Sequence, residues 1–384
     1  MIIAYDAKRA YHNSTGLGVY SRTLINAMAR LYPSNTYYLC NPKPSNFYTP
    51  NYANVIQLLP TKPLHKLLTG LWRSKAVVAQ LLQHGVQLYH GLSHEIPYGI
   101  HRTNIKSIVT IHDLIHERYP KQYSSLDVKI YTKKFTYACK YATHIIAISQ
   151  QTKQDIIHYY GINPTKITVC YQSCNPAFST ILPTQERVAI TSLYHLPAQY
   201  LLSVGSIIER KNLLTLCKAM LHLPSNIAIP LVVIGNGGSY YKQVQQYITA
   251  NALTDKIIFL SHNSFAKQNE QFNNATHFPA IYQGAKVLLY PSIFEGFGIP
   301  ILEAISSGVP VITSNISSMP EAAGSGQLLI NPTSVSEIAT AITTVLSSQT
   351  LRNKMKTAGL LHASKFTNDN CTADVAAVYS SVVA

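Results

Sequence analysis

Ser292-Ile-Phe-Glu-Gly-Phe-Gly-Ile-Pro-Ile-Leu-Glu303 sets two carboxylates, Glu295 and Glu303, eight positions apart around a glycine turn. The run before it, residues 285–290, is short and apolar, as a buried strand requires. Gly296 and Gly298 permit a tight backbone turn, and Pro300 suits the first position of a helix. The loop therefore ends on a helix N-terminus. Unpaired N–H groups and the positive end of the helix dipole favour a phosphate there, while a carboxylate on each side accepts hydrogen bonds from neutral hydroxyls. Phosphate and polyol together describe a nucleotide sugar. Two acids at this spacing also arise as a capping residue and an unrelated surface group, but here strand, Gly-x-Gly and Pro all fall where a ligand loop needs them.

Working outward, short apolar runs alternate with helix-length periodic stretches along the whole chain. The first series comprises residues 2–7, 37–40, 55–59, 86–90, 107–112, 145–149 and 167–171; the second comprises 201–206, 231–235, 257–261, 287–292, 309–314 and 328–331. Alternation of this kind predicts an α/β protein with two parallel sheets covered by helices. The polar, Pro-containing residues 178–198 separate the series and read as the linker. Two Rossmann-like domains are expected, over residues 1–185 and 186–365, with a last segment, 366–384. Ligands of such sheets bind beyond the carboxyl ends of the strands, which places the expected site in a cleft between the domains.

At 384 residues with 47% apolar content, the chain is long enough for two buried cores. No apolar run reaches the 18 residues of a membrane span, and Met1-Ile-Ile-Ala-Tyr-Asp reads as a strand rather than a signal peptide, so a cytoplasmic location is expected. Six scattered cysteines, of which only Cys170 and Cys174 are close, read as reduced thiols, mostly in cores. The formal charge of +15 is uneven: residues 1–190 carry 20 Lys plus Arg against 7 Asp plus Glu, the remainder 11 against 9. The first half thus faces something anionic: a nucleic acid, a lipid surface or a phosphorylated acceptor.

Further residues carry chemistry. Arg210 and Lys211 follow the expected strand at 201–206, where a fork of donors and a mobile point charge neutralise a diphosphate. In Asn13-Ser-Thr-Gly-Leu-Gly-Val-Tyr20, Gly16 and Gly18 follow the first strand, open a helix and let backbone approach a ligand. His112-Asp113 ends the strand at 107–112, a position that favours a ligand role over core packing. Leu231-Val-Val-Ile-Gly-Asn-Gly-Gly238 lacks the third glycine of the dinucleotide fingerprint and reads as a nucleoside-contacting turn. Residues 61–83 space Leu64, Leu67, Leu68, Leu71, Trp72, Val78 and Leu82 helically among Lys62, Lys66, Arg73 and Lys75. That pattern predicts an amphipathic basic helix, either packed on its own domain or resting on an anionic membrane with Trp72 at the interface. A second basic cluster, Lys129, Lys133, Lys134 and Lys140, is interleaved with aromatic residues.

Glu295 to Glu303 resembles the E-x7-E signature of the retaining glycosyltransferases of family 4, which have the GT-B fold. Val309-Pro-Val-Ile-Thr-Ser314, Met319-Pro-Glu-Ala-Ala-Gly324 and the setting of Arg210-Lys211 fit the same order of motifs, and Thr110-Ile-His-Asp-Leu-Ile resembles a subgroup of mannosyl- and rhamnosyltransferases. Ser325 and Asn368 depart from the pattern, where an acid and a Trp are common. The resemblance implies a GT-B fold whose last helix crosses back to the N-terminal domain. It assigns Arg210 and Lys211 to the donor pyrophosphate, Glu303 to the ribose hydroxyls, and Glu295 and His112 to the transferred sugar. Backbone N–H groups of Phe297, Gly298 and Ile299 fall to the phosphate or sugar, and Gly16 and Gly18 to the N-terminal loop.

The expected function is retaining transfer of a hexose, with mannose from GDP-mannose as the guess, to a hydroxyl of a saccharide or lipid-linked acceptor in cell-surface polysaccharide synthesis. The family's retention implies front-face attack with a donor phosphate oxygen taking the proton. No cofactor and no metal are expected, since Asp-x-Asp is absent and Arg210 and Lys211 supply the charge. Peripheral contact with an anionic membrane is expected of the basic half. A nucleotide-sugar epimerase, a phosphorylase and a nucleic-acid-binding protein are the alternatives. Against nucleic acid, the tightest basic groups sit at strand ends rather than along one aromatic-studded face.

Overall fold

The computed structural model describes residues 1–227 and 229–384, which divide into two compact units: Met1–Gln172 with Asn368–Ala384, and Ser173–Thr367. In the first unit seven strands, β1 (Ile2–Asp6), β2 (Thr36–Cys40), β3 (Val55–Leu58), β4 (Leu88–Gly91), β5 (Lys106–Ile111), β6 (His144–Ala147) and β7 (Ile167–Val169), form one parallel sheet in the order β3-β2-β1-β4-β5-β6-β7. In the second unit β8 (Leu201–Val204), β9 (Leu231–Ile234), β10 (Ile257–Phe259), β11 (Val287–Tyr290), β12 (Val311–Ser314) and β13 (Leu328–Ile330) are parallel in the order β10-β9-β8-β11-β12-β13. The order reverses between β1 and β4 and again between β8 and β11, where crevices open at the strands' carboxyl ends.

The central strands of both sheets are buried on both faces and read as continuous apolar runs, while the edge strands β3, β7 and β13 are partly exposed. In the first unit, helix Gly16–Leu31 sets Leu24, Ile25 and Met28 on Tyr5, Tyr37 and Leu39 of one face. The C-terminal helix Asn368–Val383 adds Val375, Val378 and Tyr379 to the same cluster. Each such side chain, fully buried, contributes roughly 1.5–3 kcal/mol. Tyr379 also ties the helix to the sheet by a hydroxyl 2.6 Å from His90 Nδ1, and His90 Nε2 lies 2.7 Å from Thr110 Oγ1. Residues 178–198, read as a linker from their polarity, contain the helix Thr184–Leu193, which packs on Phe278–Gly284 within the second unit.

The stretch 61–83 departs from the single helix its periodicity predicts. It breaks into Pro63–Leu67, Thr69–Leu71, a wide turn Trp72–Ala76 and Val77–Gln83, with Leu68 off the helical region at φ −99, ψ 62. Long-range partners override the pattern. Of the two placements the pattern allows, Trp72 takes packing on its own domain: it is fully buried, its indole N–H donating to Gln80. Arg73 is drawn down to Asp6, its Nε 3.0 Å from both carboxylate oxygens, and to Glu95 at 3.0 Å. The leucines are left outside: Leu64, Leu67, Leu68 and Leu71 are all exposed, Leu67 by 80%.

All six cysteines are free, and all but half-buried Cys174 are buried. Among the described residues no helix is long and apolar enough to cross a membrane.

Candidate functional site

In the second unit the residues converge at the reversal between β8 and β11. After β8 the chain turns through Gly205 at φ 140 and reaches a short 3-10 turn, Glu209–Lys211, closed by Asn212 in the left-handed region. Asn212 Nδ2 fixes this turn by donating to Pro291 O at 3.1 Å and Pro332 O at 2.7 Å. The Gly235–Gly237 turn after β9 supports it from below. A Cβ at Gly235 would fall 1.9 Å from Gly205 O, and one at Gly237 2.3 Å from Ile207 O, so these glycines serve close backbone packing.

Because β8 and β11 are neighbours, Arg210 and Lys211 meet the loop that follows β11. Lys211 Nζ lies 2.6 Å from Glu295 Oε1 and Arg210 Nη1 3.0 Å from Glu295 Oε2. Lys211 also donates to the Tyr290 hydroxyl, and Arg210 to Phe294 O. Burial alone would raise the Glu295 carboxyl, but the Lys211 and Arg210 charges overcome it and hold the group below its usual range. Burial, set against the Glu295 charge, lowers the Lys211 ammonium. The loop is clamped by serines that sequence reading passed over. Ser318 Oγ donates to Glu295 O at 2.9 Å and Phe297 O at 2.8 Å, and Ser317 Oγ donates to Glu295 O at 3.0 Å. Their only sequence signal is a position just before Met319-Pro-Glu.

Gly298, at φ 115, caps the helix Ile299–Ser306, with Pro300 in its first turn. Pro300 carries no N–H and Ile301 donates to Gly298 O at 2.9 Å, so of the leading positions of this helix only Ile299 presents an N–H with no partner within it. Glu303, one turn on, does not join the ion cluster. Its Oε2 accepts from the Tyr282 hydroxyl at 2.6 Å, and burial raises its carboxyl to about 7 despite that bond. The basic pair thus closes on Glu295, whereas the resemblance groups it with Glu303 around the nucleotide.

In the first unit His112 follows β5 and is buried. Its Nε2 donates to Leu92 O at 2.9 Å, and its Nδ1 accepts from the Gln172 amide at 2.8 Å, which fixes one neutral tautomer. Burial lowers its pKa to about 4, against the Leu92 hydrogen bond and with help from the Arg9 charge. Tyr20 packs edge-on at 4.7 Å and His94 at 5.2 Å; His94 holds φ 65 and stacks on Phe135 at 4.3 Å. Asp113 Oδ1 accepts from Ile115 N at 3.1 Å, a local turn bond.

The two glycines of the N-terminal loop separate. A Cβ at Gly18 would sit 1.9 Å from Asn13 O, so its size is set by the loop's own backbone, not by a ligand. Gly16 has open space around it. Among the described residues no cluster of three or more His, Cys, Asp or Glu side chains is arranged to hold a metal ion.

Comparison with known proteins matches the family model "Glycosyl transferases group 1" over residues 195–361 and "Glycosyltransferase Family 4" over residues 14–178. The chain is 26% identical to O-antigen chain mannosyltransferase B of Escherichia coli over 99% of both chains. It is 30% identical to O-antigen chain mannosyltransferase RfbU of Salmonella typhimurium, over 58% of this chain and 56% of that one. A serotype-specific mannosyltransferase, WbdA of Escherichia coli, is 27% identical over 76% of this chain, which spans 36% of that longer protein. Among solved structures, HepE from Anabaena in complex with UDP superimposes with a TM-score of 0.72 at 16% identity over 99% of both chains, a likeness of fold.

Proposed function

Because the chain belongs to the family 4 glycosyltransferases of GT-B fold, we propose that it transfers a hexose, mannose from GDP-mannose, with retention, to a hydroxyl of a saccharide or lipid-linked acceptor in cell-surface polysaccharide synthesis. The observation that carries the donor side is the cluster of Arg210 and Lys211 at the β8/β11 reversal, beside the N-terminus of Ile299–Ser306. Mannose and polysaccharide synthesis are supported by the likeness to O-antigen chain mannosyltransferases.

Departure of the nucleoside diphosphate develops negative charge on its leaving oxygen. Arg210, Lys211 and the N–H groups of Gly298 and Ile299 at the helix start stabilise that charge without a metal ion. The acceptor oxygen bonds to the anomeric carbon on the face the diphosphate leaves, and its proton passes to a phosphate oxygen of the leaving group. Glu303 holds the ribose hydroxyls through a carboxyl already oriented by Tyr282. Glu295 orients the sugar and is the resident counter-ion of the basic pair. His112 is assigned a hydrogen bond to the sugar, for which its Nδ1 exchanges the Gln172 amide for a hydroxyl.

The first unit is assigned the acceptor, and the exposed row Leu64, Leu67, Leu68 and Leu71, flanked by exposed Lys62, Lys66 and Lys75, is assigned to an anionic membrane surface. Exposed leucines beside lysines suit that location.

A panel of nucleotide sugars tested for thermal stabilisation identifies the donor. Incubation of the stabilising donor with acceptor in EDTA, with the product anomer read by NMR, then tests metal independence and retention. An inverted product, or activity abolished by the chelator, refutes those parts of the proposal.

A further inference from the structure

Beyond the carboxyl ends of β1 and β2 the first unit contains a cavity of about 670 Å3, within the range of small-molecule sites and unused by any step above. Lys8 and His12 reach it from the helix Lys8–His12 after β1, Lys43 from the turn after β2, and Thr69 from Thr69–Leu71 in the broken stretch that bears the exposed leucines. No Asp or Glu lines it. The nearest carboxylate along the chain, Asp6, is occupied by Arg73, whose Nε is 3.0 Å from both of its oxygens. The local field is positive on balance: partial burial and repulsion from Arg73 and Arg9 lower the Lys8 ammonium, outweighing the attraction of Asp6 and Glu95.

His12 is held in one tautomer. Its Nε2 lies 2.9 Å from Asn41 Oδ1 and 3.2 Å from Lys43 O, both acceptors, so Nε2 carries the hydrogen and Nδ1 is left to accept. Phe47 is 54% exposed in the same wall, with the Arg22 guanidinium 5.0 Å from its ring centre. Two lysines with no carboxylate in the lining, an oriented imidazole and a half-exposed phenyl ring beside a guanidinium recognise an anion attached to a sugar.

We propose that this cavity binds the phosphate-bearing end of a phosphorylated saccharide, with Lys8 and Lys43 on the phosphate, His12 on a hydroxyl and Phe47 under the sugar ring. That the saccharide is the acceptor rests on the transferase reading; that the cavity takes a sugar phosphate does not. The phosphate can belong to a lipid-linked saccharide or to a soluble one.

The test uses the full chain and glucose 1-phosphate as probe, with the His12 ring signals followed by NMR and identified through His12→Gln. Saturable shifts of those signals are expected, with affinity falling at least tenfold in Lys8→Gln/Lys43→Gln and weakening with salt. Both lysines are exposed, so the double variant should melt as the parent does and bind nucleotide sugars equally well. Silent His12 signals, or an unchanged affinity in the double variant, overturn the proposal. Failure of every nucleotide sugar to bind, with the His12 response intact, would refute the donor reading alone. Flotation with phosphatidylglycerol vesicles separates the sources. Binding lost in the double variant assigns the phosphate to a lipid, and binding kept while glucose 1-phosphate is lost assigns it to a soluble sugar; either outcome upholds the site.

Discussion

Glu295→Gln tests the electrostatics of the donor site directly. Glu295 is the counter-ion of two cations, Lys211 at 2.6 Å and Arg210 at 3.0 Å, with side-chain exposures of 11%, 18% and 10% respectively. Glutamine keeps the shape and one carbonyl oxygen but leaves two nearly buried positive charges uncompensated. Breaking a buried pair costs about 3–5 kcal/mol, and the residual exposure here argues for the lower end, about 3 kcal/mol. At about 2–4 °C per kcal/mol for a unit of this size, the melting temperature should fall by roughly 6–12 °C. The ion-pair contribution follows the depressed Glu295 pKa: it is full above the unfolded carboxylate value of about 4.3 and is lost as pH falls through the folded value. The gap between parent and variant should therefore stay flat between about pH 5 and 8 and close in more acidic solution.

In the proposed function a nucleoside diphosphate brings negative charge to the same cations. In the parent it competes with Glu295; in the variant it replaces the missing carboxylate. A carboxylate about 5 Å from a phosphate costs about 3 kcal/mol at an effective dielectric of 20, before screening. Screening to about half of that, roughly 1.4 kcal/mol, leaves nucleoside diphosphate affinity about tenfold higher in Glu295→Gln while sugar transfer falls, measured by calorimetry and product formation. A variant that binds the diphosphate more weakly than the parent would refute the counter-ion reasoning.

Glu303→Gln removes a carboxyl whose pKa burial raises to about 7, so the parent's stability declines as pH rises from about 4.5 to 7 and the variant's advantage grows to the order of 3 kcal/mol, level above pH 7; denaturant titrations across pH check it, and a constant difference would count against it. Gly18→Ala drives a Cβ to 1.9 Å from Asn13 O and should cost roughly 2 kcal/mol, whereas Gly16→Ala, in open space, should leave the melting temperature within about a degree. If Gly16→Ala nevertheless weakens donor or acceptor binding, Gly16 is the glycine a ligand approaches. Leu64→Ser/Leu67→Ser should abolish flotation with anionic vesicles at unchanged stability, while Trp72→Ala should destabilise the chain by about 3–5 kcal/mol.

The strands were legible because parallel strands buried on both faces leave unbroken apolar runs, and every observed strand lies within or across a run so identified. Residues 61–83 were not, since 3.6-residue periodicity locates an apolar face without saying what covers it. Trp72 and Arg73 belong to the core through Gln80, Asp6 and Glu95, contacts that only the folded sheet creates. At the donor site, position at strand ends marked Arg210, Lys211 and Glu295, yet their pairing depends on β8 lying beside β11, which the order of elements along the chain does not state. Tyr282 escaped notice for a related reason: it lies on a helix, with no motif of its own, and meets Glu303 only across the fold.

The two glutamates of the opening motif have been driven apart chemically by where the fold puts their neighbours. Both are withdrawn from water, which raises any carboxyl. Glu295 is overruled by two cations and stays ionised; Glu303 has only a tyrosine hydroxyl to offset burial and titrates near neutrality. Acids whose environments separate their pKa values are suited to different tasks. The ionised one holds the basic pair at the strand ends, and in the proposed function phosphate oxygens of the donor take its place. The other, lacking a cation, is free of that competition and presents oxygens suited to neutral hydroxyls. The same two residue types, eight positions apart, can thus serve opposite ends of one nucleotide sugar because a single strand adjacency decides which of them meets the positive charge.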